Sequence, residues 1–268
     1  MDIKRVLTTI VGLPAVILVI LLGNNYVIDI GLCIVALICM HEYFGAITKL
    51  ANPIKWVGYL ACIGVAVVSL LNVSQVMQTV VFAIPVILLI LFLHVIITEM
   101  KISFKDIAYT FLGIFYIVLS IMFLALIIGL ENGKILLGYA IITAWGTDIF
   151  AYLIGKKWGK TKFNKVSPKK SVEGCLGGTI GSIICGIIYI YVSSKFINIE
   201  ISYLLLAISS GILSIISQIG DFAASTIKRF TDIKDFGNLL PGHGGMLDRI
   251  DSVIFLAPYA FMIFSLVV

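Results

Sequence analysis

Charge is scarce in this chain. Lys, Arg, Asp and Glu make up 12% of its 268 residues, where a water-soluble domain carries about 25%. With 60% apolar residues and a mean hydropathy of +1.13, that scarcity excludes an ordinary soluble enzyme. The alternation of apolar and polar residues that marks an outer-membrane barrel is missing as well. Apolar runs are continuous instead, as in AIPVILLILFLHVII from Ala83 to Ile97. The five cysteines (Cys33, Cys39, Cys62, Cys175 and Cys185) have neither metal-type spacing nor the look of a disulfide framework. They lie inside apolar segments and read as small core residues. No soluble domain, low-complexity tract or internal repeat breaks the chain, and the missing repeat argues against a transporter built from inverted halves. Walker A, dinucleotide, H-E-x-x-H and G-x-S-x-G motifs are absent. So is the D-G-x-x-A-R aspartate array of the alcohol phosphotransferases that consume CDP-lipids.

What is present is a series of hydrophobic segments, each near the roughly 20 residues that cross a bilayer. In lipid the backbone must satisfy its own polar groups, so these segments are expected to be helices. The sequence predicts an all-α, polytopic integral membrane protein of about nine transmembrane helices. They run near 6–22, 26–48, 57–72, 79–98, 107–130, 134–154, 173–194, 201–221 and 251–268. The basic start and apolar stretch of the first 22 residues resemble a signal peptide but lack a small-residue cleavage site, so an uncleaved first helix is expected. Placing the N-terminus in the cytoplasm puts all but Lys134 and Lys195 of the 19 basic residues inside, as the positive-inside rule requires. The chain is read as a single membrane domain over 1–268, with N-terminal spans over 1–130 and a catalytic half over 131–268. The multi-pass location expected is the plasma membrane.

The two longest polar stretches, 155–172 and 222–250, both fall on the cytoplasmic side. Around the second, Asp221 follows Gly220, Lys228 and Arg229 come two turns later, and Lys234 and Asp235 precede the run PGHGGMLDRIDS. Asp248 and Asp251 are three apart and share a face if helical, with Arg249 pointing elsewhere. Basic residues after a span fit the positive-inside rule alone. Ionisable groups at membrane depth are costly, however, and mark functional sites by default. Carboxylates from two helix ends, Asp221 with Asp248 and Asp251, suit a hard cation such as Mg²⁺ that also bridges to substrate phosphates. A glycine-rich turn feeding a helix start adds free N–H groups and a positive dipole end, and His243 is a candidate phosphate donor.

The first stretch has Asp148 within the sixth predicted span, then a lysine-rich loop. Ser171 is a plausible N-cap and Glu173 suits the first helical turn. Lys169 and Lys170 sit where a phosphate could be held, unless the loop merely attracts anionic headgroups. Gly174, Gly177, Gly178 and Gly181 have the spacing of helix packing rather than chemistry. His41/Glu42 and His94/Glu99 read as interfacial or packing residues. Trp145, Tyr152 and Trp158 read as interface anchors, though they are also candidates to stack on a base. These residues alone indicate a polytopic membrane protein with a cytoplasmic, metal-dependent phosphate site. A CTP-dependent lipid kinase and a transporter or flippase for anionic lipids stay open at that point.

The run from Ser225 to Asp251 resembles the signature of the phosphatidate cytidylyltransferases, or CDP-diacylglycerol synthases. Its fixed positions are Ser225, Lys228, Arg229, Lys234, Asp235, His243, Gly244, Gly245, Asp248, Arg249 and Asp251. The stretch with Asp148, Ala151, Tyr152, Gly155 and Gly159, then Ser167, Pro168, Lys169, Lys170, Glu173 and Gly174, is similar to the family's second shared region. The sequence departs at Ala224, where many members have Glu, at Ser171 for Thr and Val172 for Trp, and in Asp148-Ile-Phe-Ala-Tyr for Asp-Thr-Gly-Ala-Tyr. These differences bear on substrate preference.

The resemblance implies transfer of CMP from CTP to phosphatidate, giving CDP-diacylglycerol and pyrophosphate. It implies Asp221 and Asp248 as Mg²⁺ ligands, with Asp148 and Asp251 as further ligands or their supports. It implies phosphates held by Lys169, Lys170, Lys228, Arg229 and Arg249. Ser167, Ser225, Lys234, His243, Gly244 and Gly245 complete the expected substrate contacts. The partners implied are CTP, phosphatidate and membrane lipid, with no nucleic acid. A second, monovalent cation and a homodimer stay open.

Overall fold

The computed structural model describes residues 18–20, 22–71, 73–163, 167, 170–197, 202–239, 242 and 244–267. Among these the chain is helical and has no strand; Lys162 and Ser171 form an isolated bridge. In chain order the helices are α1 (Asn25–Ile47), α2 (Lys55–Ile63), α3 (Val73–Ile97), α4 (Phe104–Ile128), α5 (Gly133–Trp158), α6 (Val172–Ser193), α7 (Tyr203–Phe230) and α8 (Leu247–Val267). Among the described residues, seven helices are long and apolar enough to cross a membrane. The protein is an all-α, multi-pass membrane protein. The expected first span falls almost wholly outside the described residues. The span expected over 57–72 is different in kind: α2 ends at Ile63 and a 3₁₀ turn covers Gly64–Leu70. Glycine at the junction and the β-branched Val65, Val67 and Val68 beyond it are poor material for continuing an α-helix.

Helix starts are fixed by side chains that accept otherwise orphaned N–H groups. Asn24 Oδ1 accepts from Val27 N–H at 2.9 Å. Ser103 and Asp106 form a reciprocal capping box on α4, and Asp106 also accepts from Asn52 N–H at 2.6 Å. Ser171 caps α6 through Gly174 N–H, as its sequence position predicts.

The chain divides into two compact units, Met1–Gly129 with Phe230–Ile250, and Leu130–Arg229 with Asp251–Val268. In the first, α1 supplies the core with Cys39, Met40, Tyr43 and Phe44, all but excluded from solvent. The rings of Phe44 and Tyr43 lie where a side chain at Gly58 or Gly113 would sit. The segment with the glycine-rich turn belongs to this unit, with the N-terminal spans. By contrast, α3 leaves most of its apolar surface exposed, a surface suited to lipid.

In the second unit α5 and α6 approach closely. A Cβ on Gly174 would lie 2.8 Å from the Ala151 carbonyl oxygen, and one on Gly178 2.8 Å from that of Thr147. Small residues at this spacing let helix backbones meet, and the structure bears out the packing role read for these glycines. The helix α7 continues nine residues past the predicted end at 221, to Phe230, so Asp221 lies well inside it and Lys228 and Arg229 share the same rod.

Candidate active site

One face of α7 is a polar stripe in an apolar helix. Ser210, Ser214, Gln218 and Asp221 follow helical spacing, and Ser210 and Ser214 are fully buried. Buried polar groups need partners, and α5 and α6 provide them. The Tyr139 and Ser210 hydroxyls are 2.7 Å apart, Thr147 and Ser214 are 2.8 Å apart, and Gln218 Nε2 donates to Thr179 Oγ1 at 3.1 Å. The stripe ends at Asp221, whose carboxylate is ion-paired with Lys170.

Lys170 is delivered by the fold of the lysine-rich loop. Phe163 N–H donates to the Lys170 carbonyl at 3.0 Å and Val172 N–H to that of Thr161 at 2.9 Å. The Glu173 carboxylate accepts the N–H groups of Lys160 and Thr161, each at 3.1 Å. The Lys170 ammonium lies 4.5 Å from the centre of the Phe222 ring, and Phe222 in turn stacks on Phe163 with centroids 4.8 Å apart.

Two further aspartates belong to this unit. Asp148 on α5 accepts from the Ser252 hydroxyl at 3.3 Å. Asp251, 5% exposed, accepts the N–H of Ser252 at 2.8 Å and feels the charges of Asp221, Lys228 and Asp148. A cavity of about 620 Å³ is lined by Asp148, Ser167, Lys170, Gln218 and Asp221 among others. That volume suits a small-molecule site.

The first unit holds the rest of the sequence motif. Gly244 takes φ +82°, a conformation that favours glycine. Asp248 Oδ2 accepts Phe236 N–H at 2.7 Å and Gly245 N–H at 3.0 Å. The N–H groups of Met246 and Leu247 donate to the two Glu42 carboxylate oxygens at 2.9 and 2.8 Å. The expectation of free N–H groups at this helix start is therefore corrected: those of Gly245, Met246 and Leu247 are taken by the chain's own carboxylates. A glycine-rich turn needs acceptors like any other buried backbone, and here two acidic side chains supply them.

Of the residues singled out in the sequence, Asp148, Ser167, Lys170, Asp221, Ser225, Lys228, Arg229 and Asp251 lie in the second unit and Lys234, Gly244, Gly245, Asp248 and Arg249 in the first. Arg229, Lys234 and Arg249 are exposed, while Ser225 and Lys228 are half-buried. Lys169 and His243 lie outside the described residues. Three participants were not singled out as site residues. Gln218 was legible from the spacing of the α7 stripe. Ser252 adjoins Asp251. Glu42 lies 204 residues before Met246, and nothing local announces its role.

Among the described residues no three His, Cys, Asp or Glu side chains are gathered closely enough to cage a metal ion. Mg²⁺ does not require such a cage: it commonly takes one or two carboxylates and completes its shell with water and phosphate oxygens. The donor set therefore fits a hard, oxygen-seeking ion.

A multi-pass helical protein with such a site, rich in carboxylates and ammonium groups, belongs with membrane-embedded enzymes that handle phosphates. The chain belongs to the cytidylyltransferase family, which it matches over residues 3–267, and is thus a nucleotidyltransferase. It is 33% identical to a phosphatidate cytidylyltransferase of Staphylococcus aureus (strain COL) over 265 residues, 95% of each chain. It is 34% identical to one of Bacillus subtilis over 180 residues, 66% of this chain and 65% of that protein. A third, from Staphylococcus saprophyticus, is 32% identical over 265 residues, again 95% of each.

Proposed function

We propose that the protein transfers CMP from CTP to phosphatidate, releasing pyrophosphate and forming CDP-diacylglycerol for phospholipid synthesis. The observation that carries this reading is the second unit's cluster: Asp148, Asp221 and Asp251 with Lys170 and Lys228 beside a cavity of about 620 Å³. The named activity of the relatives agrees with it. The site would face the cytoplasm in the plasma membrane, as the distribution of basic residues favours.

In this reaction a phosphate oxygen of phosphatidate attacks the α-phosphorus of CTP, and the bond from that phosphorus to the bridging oxygen of pyrophosphate breaks. The nucleophile arrives ionised, so no strong base is needed. The obstacles are repulsion between two polyanions and the charge that develops on the leaving group. Lys170, Lys228, Arg229 and Arg249, with Lys169 of the same loop, are assigned to phosphate oxygens. Asp221 would hold Mg²⁺ in the second unit, with Asp148 and Asp251 as further ligands or as acceptors that orient them; for Asp248 the metal role rests on the sequence motif alone. When bound, the metal supplies positive charge at the transferring phosphoryl group. The chain's part is to orient. Ser252 donates to Asp148, the α7 stripe fixes the depth of Asp221, and Lys170, now on Asp221, is the ammonium best placed to meet an incoming phosphate.

The test is pyrophosphate release by purified protein in detergent, given CTP, phosphatidate and Mg²⁺, with single omissions and an ATP control. Release that needs all three, with CDP-diacylglycerol in equal amount, is expected. CDP in place of pyrophosphate would mean a lipid kinase, and no nucleotide turnover by folded protein would leave a transporter of anionic lipids.

A further inference from the structure

Glu42 is a buried acid on a membrane-spanning helix, 7% exposed, with no place in the chemistry described so far. Its carboxylate is fully engaged. One oxygen accepts Met246 N–H at 2.9 Å and the other Leu247 N–H at 2.8 Å. These donors open α8, so the carboxylate sits at the positive end of that helix and caps it from outside. The surrounding backbone is shaped to reach it. A Cβ on Gly245 would lie 2.5 Å from Oε2, and one on Gly237 2.5 Å from Oε1. Any side chain at either glycine would push the turn away from the acid. The next N–H back, that of Gly245, goes to Asp248 Oδ2, so the two carboxylates hold successive amides of one turn.

We infer that Glu42 is a positioning residue for the reaction: it fixes the start of α8 and thereby the directions in which Asp248 and Arg249 project. The inference rests on the proposed roles of those two residues. Only a carboxylate of this length satisfies both donors. Glu42→Gln keeps the volume but turns an NH₂ group toward one N–H. Glu42→Asp keeps the charge but retracts it by a methylene.

The experiment compares wild type, Glu42→Gln and Glu42→Asp as full-length protein in detergent, by steady-state kinetics and by amide hydrogen exchange. Losing a group that only orients functional side chains typically costs about 10–100-fold in activity. The expected result is a fall of that size in kcat for both variants, with KM for CTP within about two-fold. Exchange should accelerate at Met246 and Leu247 and stay unchanged in α3, with any fall in melting temperature small enough to leave the protein fully folded at the assay temperature. Unchanged kcat, or unchanged protection at those two amides, would overturn the inference. So would a loss of activity that merely follows a lowered melting temperature. If the wild type itself shows no cytidylyl transfer, the proposed function falls, and the exchange measurement decides the anchoring without it.

Discussion

Glu42 and Asp221 are both carboxylates set into helices of an apolar chain, and their surroundings differ in kind. In the first unit, Glu42, Asp106 and Asp248 accept backbone N–H groups from other segments. In the second, Asp148 meets a serine hydroxyl, Asp221 a lysine, and Asp251 the N–H of its own neighbour within the field of two other acids. An acid bound to main-chain amides is locked to the fold, because releasing it would strand buried donors. An acid bound to a lysine or hydroxyl can exchange that partner for a metal ion or a substrate without unfolding anything. The contrast separates acids that build the scaffold from acids available for chemistry.

The largest effect should come from the second group. Asp221→Asn is expected to lower cytidylyl transfer by about 1,000-fold while leaving the melting temperature in detergent near wild type. A large drop in melting temperature with activity retained would erase the distinction. Asp248 belongs to the first group by geometry and to the second by proposed role. Asp248→Asn should therefore abolish turnover and also destabilise the turn, read as faster amide exchange at Phe236 and Gly245. Near-normal activity would return Asp248 wholly to the scaffold. Lys170→Met is next, with kcat down about 100-fold and the fold intact, and Lys170→Arg should recover part of it. Asp106→Ala removes the capping box on α4 and should cost about 1–2 kcal/mol of stability, with specific activity per folded molecule unchanged. Smallest is Lys195→Ala, which removes a surface ammonium 4.7 Å from the Tyr191 ring. Its effect on stability should stay within about 0.5 kcal/mol, and transfer rates should not move.

Much of the fold was legible because hydrophobic length is a direct reading of bilayer thickness. Seven of the eight spans expected after the first have a membrane-length helix at their place, and the segment over 57–72 has a short helix and a 3₁₀ stretch instead. The reading failed where a helix continued through polar residues. The sequence places Asp221 at a helix end because charge resumes there, yet α7 runs on to Phe230 since Lys228 and Arg229 are good helix formers once outside lipid. The small-residue stripe of α6 and the Ser171 cap were local patterns and could be read locally. The Lys170–Asp221 pair joins residues 51 apart, and the hold of Glu42 on the glycine-rich turn spans almost the whole chain. Neither has a periodic trace, because long-range pairing is set by tertiary packing. The acid at position 42 had the look of a packing residue. It is one, but what it packs is the turn that carries the motif.

The length of α7 also works as a ruler. Its 28 residues extend about 42 Å at about 1.5 Å each, against a hydrocarbon layer of about 30 Å. Asp221 comes about 27 Å along that axis from Tyr203, close to the full thickness of that layer, and two and a half turns follow it. Under the proposed reaction, a helix of this length would let a lipid phosphate at its ordinary height in the leaflet come abreast of the carboxylate. The lipid would then need no lifting out of the bilayer: it would enter sideways with its tails in oil, and the water-soluble nucleotide alone would make the journey from the aqueous side.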